Sequence, residues 1–266
     1  MIAAPSPMTV PQFEAHLKAL RAAGRFDEAR SLLAPVAQRP GPEGAWARQL
    51  LAAHDPRWWQ LQQGRRCRLR RRAPQDLAFV RRLWAAPGFV DSFNVGAPPL
   101  PADDATLERI LAAEYAALPL QSRAIHWVIE TLGGEPFGVA SVVDISVAHR
   151  RAEFLIGVHE PPYRGAAAEA TLLAIDFAFG PMRLRKLIGL VPAGNRASLA
   201  ASAHIGFRSE GVLRQHLVHP RSGEGIDLVH MAILAGDVAS REQQRRVRQR
   251  LLRASAGTPT APAPKP

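Results

Sequence analysis

Apolar residues in the first quarter of this 266-residue chain recur at helical spacing. Phe13, Leu17 and Leu20 share one face of a predicted helix from Pro11 to Ala23. Gly24-Arg25 interrupts it. Phe26, Ala29, Leu33 and Val36 then form the stripe of a second helix ending at Ala37. Pro40-Gly41-Pro42 closes this unit, a third helix is expected over Glu43–Ala53, and a shorter one after Pro56.

From Arg66 the period shortens. Arg66-Cys67-Arg68-Leu69-Arg70 alternates like a strand, and Pro74-Gln75-Asp76 opens a helix through Trp84. Residues 87–101 read as a loop carrying Phe89, Phe93 and Asn94. Asp103-Asp104 caps a helix to about Leu118, because acidic side chains favour a helix N-terminus. Strands are expected over Ile125–Thr131, Phe137–Ile145 (after a Gly133-Gly134 turn), Arg151–Val158, Lys186–Val191, Ser209–Leu217 and Leu228–Leu234. Helices are expected over Glu169–Phe179 and Arg196–His204. This order predicts an α/β (α+β) fold: a mixed, mostly antiparallel sheet flanked by helices, preceded by a small all-helical segment. The expected division is a helical extension at 1–64, a main domain at 65–238, and a basic helix end with an Ala/Pro-rich tail at 239–266. Residues 1–10 and the tail from Ala254 read as disordered.

Charge adds a question. The formal net charge is +11, and arginine supplies nearly all of the positive side. One cluster runs Arg65-Arg66-Cys67-Arg68-Leu69-Arg70-Arg71-Arg72 and another spans Arg241 to Arg253. Nucleic acid or another polyanion is one explanation, and arginines on solvated faces are the other. The clusters lack interleaved aromatics, which disfavours nucleic acid. A lone cysteine, Cys67, excludes an intrachain disulfide. The nine histidines lack ligand spacing, so no metal site is expected. No apolar run is long enough to span a bilayer, and Met1–Pro5 shows no secretory pattern, so the expected location is cytoplasmic.

The candidate chemistry lies in Pro161-Pro162-Tyr163-Arg164-Gly165-Ala166-Ala167-Ala168-Glu169-Ala170, between a strand and a helix. A small-residue turn that opens a helix leaves its first N–H groups free to meet a pyrophosphate.

Residues Arg66–Leu234 resemble the GNAT N-acyltransferase superfamily, in particular its ribosomal-protein N-terminal acetyltransferase (RimJ/RimL-like) branch. The resemblance is carried by His149-Arg150-Arg151-Ala152-Glu153-Phe154-Leu155-Ile156-Gly157-Val158, Tyr163-Arg164-Gly165, Glu169-Ala170, Asn195-Arg196-Ala197-Ser198 and Gly206-Phe207-Arg208-Ser209-Glu210-Gly211. It implies acetyl-CoA as donor, a primary amine as acceptor, and no metal. It also implies a gap between two splayed strands, with the cofactor held by Ile156, Gly157, Val158, Tyr163, Arg164, Gly165, Ala166, Ala167, Ala168 and Asn195. Ser198 is the implied proton donor to the thiol and Glu153 the first choice of base. Their alternatives are helix capping by Asn195 and Ser198, and for Glu153 a salt bridge. Phe89, Phe93 and Asn94 are expected against the acceptor, or as a buried staple. The family's turn usually reads Gln/Arg-x-x-Gly-x-Gly/Ala. With Gly165 and Ala167 in the small positions, Pro162 stands first and one phosphate donor is lost. With Arg164 first, the turn is two residues short. Ala23-Gly24-Arg25-Phe26-Asp27-Glu28-Ala29 is similar to part of a single tetratricopeptide unit, which suggests a protein or peptide partner, or else a hairpin packed on the main domain. The competing functions are an eroded acyl-CoA-binding module and an arginine-rich nucleic-acid binder.

Overall fold

The computed structural model describes residues 10–256. The expected disorder of residues 1–9 and 257–266 lies outside the described residues. Three helices come first, α1 (Val10–Ala22), α2 (Phe26–Ala37) and α3 (Pro42–Ala53). Leu17, Leu20, Ala29, Leu33, Ala37 and Ala47 bury one another between them. This unit is packed on the rest of the chain. Arg21 Nε donates to Ala116 O at 2.8 Å, and the Phe26 ring stacks on Trp59 at 4.2 Å.

The next elements are β1 (Gln62–Gln63), β2 (Cys67–Arg71), α4 (Leu77–Ala85), α5 (Phe89–Phe93), α6 (Asp104–Ala116) and α7 (Pro119–Ser122). They are followed by β3 (Ile125–Thr131), β4 (Pro136–Ser146), β5 (Arg151–Val158) and α8 (Ala166–Phe179). The chain ends with β6 (Lys186–Pro192), α9 (Arg196–Ile205), β7 (Arg208–Val218), β8 (Gly225–Leu234) and α10 (Val238–Ala256). One eight-stranded sheet has the order β1-β2-β3-β4-β5-β6-β8-β7. Every neighbouring pair is antiparallel except β5 and β6, which are parallel and joined by α8. Trp127, Phe154, Leu172, Ile175, Phe177, Leu187 and Ile233 belong to the main core, between the sheet and α8.

Several boundaries depart from the sequence expectation for local reasons. The expected loop at 87–101 contains α5, because Gly88 at φ +70 turns the chain and the Phe89 and Phe93 rings find a packing surface. Only a 3₁₀ turn, Pro56–Trp58, follows α3. Asp103 caps α6 as expected, accepting from Thr106 N at 2.7 Å, but Pro119 starts the separate α7. α8 begins three residues before Glu169, since alanine continues a helix as readily as any residue. Ala254–Ala256, expected in the disordered tail, lie within α10.

Arg68, Arg70, Arg71 and Arg72 of the first arginine cluster do not form a solvated face, contrary to the favoured sequence reading, whereas Arg65 is exposed. Glu130, only 2% exposed, accepts from Arg68 Nε at 2.5 Å and Arg70 Nε at 2.6 Å. Arg70 also meets Asp76 at 2.6 Å, and Arg72 meets Glu114 at 2.5 Å. Arg71 is buried and reaches the carbonyls of Trp58 and Glu114; burial lowers its pKa to about 10. The carboxylates of buried Glu130 and Asp76 and of half-buried Glu114 thus neutralise Arg68, Arg70 and Arg72, while Arg65 and Arg66 form no ion pair among the described residues. Removing one partner of a buried ion pair leaves the others uncompensated, so Glu130→Ala should cost about 3–5 kcal/mol. Urea denaturation checks this, and a variant within about 1 kcal/mol of the parent, the range of exposed pairs, would show that water already screens these arginines.

Candidate functional site

The parallel contact between β5 and β6 covers three residue pairs: Arg151–Lys186, Ala152–Leu187 and Glu153–Ile188. Beyond them the strands part. Phe154–Val158 continue to pair with β4, and Gly189–Pro192 with β8, so each strand keeps only its outer neighbour. The inner edges face an open wedge.

Backbone direction follows from one bond. His159 N donates to Phe137 O in β4 at 2.9 Å. Successive peptide groups of a strand point to alternate edges, so the amides of Ile156 and Val158 point away from β4 and into the wedge. The amide of Gly157 points to β4, and its contribution is steric. A Cβ there would lie 2.7 Å from the Phe89 ring and 2.8 Å from the Phe93 ring. Those rings stack at 5.4 Å, and Trp84 packs against both. Phe89 is therefore a buried packing residue, while Phe93 and Asn94 are half-buried. α5 is also tied to the β7–β8 turn, where Arg221 forms an ion pair with Asp91 and His219 Nε2 lies 4.0 Å from it.

At the wedge's open end the chain turns through Tyr163–Gly165 into α8. Gly165, at φ +92, is the residue before the helix, followed by Ala166, Ala167 and Ala168. The N–H of Ala166 bonds Tyr163 O, and the first α-helical bond is Glu169 N to Gly165 O; the N–H groups of Ala167 and Ala168 have no such partner. Gly165 and Ala167 are thus small residues at the helix start, with Pro162 three residues before Gly165. Arg164 is exposed and forms no ion pair among the described residues. Buried Glu169 anchors the turn. It accepts from Tyr163 OH at 2.8 Å, Arg65 N at 2.6 Å and Arg66 N at 3.0 Å, while Arg66 lies 3.8 Å over the Tyr163 ring. The motif Glu169-Ala170 pointed to this position but not to its anchoring role.

On the α5 side of the sheet, Glu153 is half-buried, and its side chain has no ion pair or hydrogen bond among the described residues. The salt bridge considered from sequence does not form. Burial first, and Asp144 second, raise its pKa to about 6. His126, nearby on β3, bonds Ser141 Oγ at 2.9 Å and is pushed down to about 4 by burial and then by Arg72, so it is neutral at pH 7. Glu210 brings together Lys186 at 2.5 Å and His230 at 3.2 Å, a group absent from the sequence-derived site.

Across the wedge, Asn195 caps α9, its Oδ1 accepting from Ser198 N at 3.0 Å. The capping alternative thus describes what Asn195 does within the chain. Ser198 is half-buried in the first turn of α9, and its hydroxyl makes no hydrogen bond among the described residues. Nor do the described residues contain a group of three or more His, Cys, Asp or Glu side chains placed to hold a metal, or a helix long and apolar enough to cross a membrane.

Comparison with known proteins agrees with this geometry. The acetyltransferase (GNAT) domain family matches residues 66–208, more than half of the chain. Spermidine N(1)-acetyltransferase of Escherichia coli (strain K12) is 38% identical over 82 residues, which are 30% of this chain and 44% of that relative. The chain thus spans less than half the length of that curated relative. Mycobacterium smegmatis RimJ in complex with CoA-disulfide has a TM-score of 0.57 at 25% identity, covering 71% of this chain and 89% of that one. Vibrio cholerae spermidine N-acetyltransferase in complex with CoA and spermine has a TM-score of 0.55 at 23% identity, covering 63% and 95%, a likeness of fold alone. With the strand wedge, the turn into α8 and the match over residues 66–208, the chain belongs to the GNAT acetyltransferase family.

Proposed function

We propose that this protein transfers an acetyl group from acetyl-CoA to a primary amine by direct attack. The observation that carries the proposal is the wedge, with the amides of Ile156 and Val158 turned into it. When bound, the cofactor supplies an activated acetyl thioester. The residues present fit it: two free edge amides inside the wedge, and a turn of glycine and alanine over uncovered helix N–H groups. Arg164 and the start of α8 hold the phosphates, and Tyr163 with Gly165–Ala168 shapes the turn.

The amides of Ile156 or Val158 donate to the thioester oxygen as negative charge builds on it. Glu153 takes the proton that the attacking amine loses. It stands about 10 Å along the strand from Ile156, so the proton passes through water. Ser198 delivers a proton to the departing sulfur. Phe93 and Asn94 line the acceptor side, with Phe89 behind them. Among protein N-termini, amino sugars, polyamines and other small amines, the spermidine acetyltransferase relative favours a polyamine. The transferase domain, expected over 65–238, takes in Trp58 and β1 before it and Val247 of α10 after it, which share its core and sheet, while α1–α3 form a helical extension that contacts α6. The second reading, a module that binds acyl-CoA without turnover, is favoured only by Pro162, which has no N–H to offer a phosphate.

Thiol release from acetyl-CoA with spermidine and a panel of other amines separates these readings: turnover supports the enzyme, and binding without release supports the inert module. Loss of a general base typically costs 10²–10⁴-fold, so Glu153→Gln should lower kcat by about 100-fold or more. In the parent, kcat/KM should rise with pH through about 6 as Glu153 loses its proton, and the variant should lack that limb. The sign for stability is opposite. A raised carboxyl pKa means that the folded state holds the proton more tightly, so stability from this group is lost as pH rises through about 6. Above that pH, Glu153→Gln should melt higher than the parent, and a lower melting point would place Glu153 in an unseen ion pair. Ser198→Ala should reduce kcat while leaving the acetyl-CoA Kd unchanged, and equal kcat would remove its proposed proton transfer.

A further inference from the structure

The second arginine cluster lies on α10, and the acetyltransferase reading alone gives it no task. α10 begins at the lower end of α9. Ser240 Oγ donates to Gly206 O at 2.8 Å, and Gln243 Nε2 donates to His204 O at 2.9 Å. Val247 enters the main core, and Arg248 reaches Asp176 on α8 at 2.7 Å. Leu251 Cδ2 lies 2.6 Å from where a Cβ on Gly165 would be, so it fills the space left by that glycine. Helix rise explains the result. From Ser240 to Leu251, α10 climbs about 16 Å, as α9 does between Gly206 and Asn195. The Leu251 end of α10 therefore stands level with the N-termini of both α8 and α9, at the mouth of the wedge.

Pairing of the arginines is uneven along the helix. Arg245 and Arg246 are held by Glu242, and Arg248 by Asp176. Arg250 is exposed and meets no carboxylate among the described residues; its one bond runs to Arg246 O at 3.5 Å. It follows Gln243 by two turns and so lies on the stripe facing α9. Arg164 in the turn and Arg196 at the first position of α9 are also exposed and free of ion pairs among the described residues. Three unneutralised guanidinium groups thus belong to the three segments that end at the mouth.

We propose that α10 is the third wall of the phosphate end of the cofactor cleft, with Leu251 seating the turn and Arg250 contributing a cation to the CoA phosphates. This rests on the acetyl-CoA reading above. It gives the site a charge that Pro162 cannot supply through its backbone.

The test is calorimetric titration of the full chain with acetyl-CoA at two salt concentrations. Arg250→Glu should raise Kd about tenfold and flatten its salt dependence, since a cation near phosphates is replaced by an anion. Arg250→Ala, which preserves helix propensity, should weaken binding in the same direction but less. Arg241→Glu makes the same charge change about 13 Å lower on the helix and should leave Kd unchanged. Equal Kd for the parent and both Arg250 variants would overturn the assignment while leaving the acetyltransferase reading intact. Equal losses for Arg241→Glu and Arg250→Glu would also overturn it, by showing only the effect of net charge. No binding by the parent would bring down the acetyl-CoA reading and this inference together.

Discussion

The seam between β5 and β6 is the constraint on which the rest of the site depends. Each of these strands has a long antiparallel commitment on its outer side. β5 pairs with β4 from Arg151 to Val158, and β6 pairs with β8 along its whole length. The two half-sheets share only three parallel pairs, so their separate twists are not reconciled beyond Ile188. α8 bridges the back of the seam, with Ala170, Ala174 and Ala178 buried against the core. Small side chains let the helix lie close to both halves while the front stays open. A longer parallel ladder would pair the amides of Ile156 and Val158 with β6 and leave no free donor at the seam.

Glu169 fixes the open end of that seam. A buried carboxylate is costly unless its oxygens are satisfied. Here one oxygen takes the amides of Arg65 and Arg66 and the other takes the Tyr163 hydroxyl. Burial first, and then Cys67 and Glu169, raise the Tyr163 pKa, so the phenol stays protonated as a donor. The carboxylate also lies in the first turn of α8, where the helix dipole favours negative charge. One side chain thereby ties the segment before β2 to the turn into α8 and leaves the Ala167 and Ala168 amides uncommitted. Gly64 is part of the same fit, since a Cβ there would lie 2.4 Å from a Glu169 oxygen.

Local pattern made most of the fold legible. Alternation and helical stripes located β3 to β8, α1 to α3, and the turn into α8, because each signal resides within a few residues. The family motifs located the wedge as well. What sequence withheld depends on partners far along the chain. The arginines of β2 looked like a charged surface because Glu130 and Glu114 are some forty to sixty residues away. Glu169 is 104 residues from Arg65. α5 is too short to show a period, and the position of α10 over Gly165 depends on a contact between residues 251 and 165 that no spacing rule encodes.

Strand geometry also divides the labour on β5. Its even-numbered side chains, Ala152, Phe154, Ile156 and Val158, face the core beneath α8. Its odd-numbered positions, Glu153, Leu155 and Gly157, face the opposite side, where the Phe89 and Phe93 rings cover Gly157. The even-numbered amides leave the strand edge-on, into the wedge. A single extended segment therefore offers a carboxylate on one face, hydrogen-bond donors at its edge and apolar ballast on the other face. The three groups therefore occupy separate directions around one strand and do not compete for the same space. Glu153 gains its raised pKa in this arrangement, because the face it occupies is partly dry and carries Asp144 rather than an arginine as its charged neighbour.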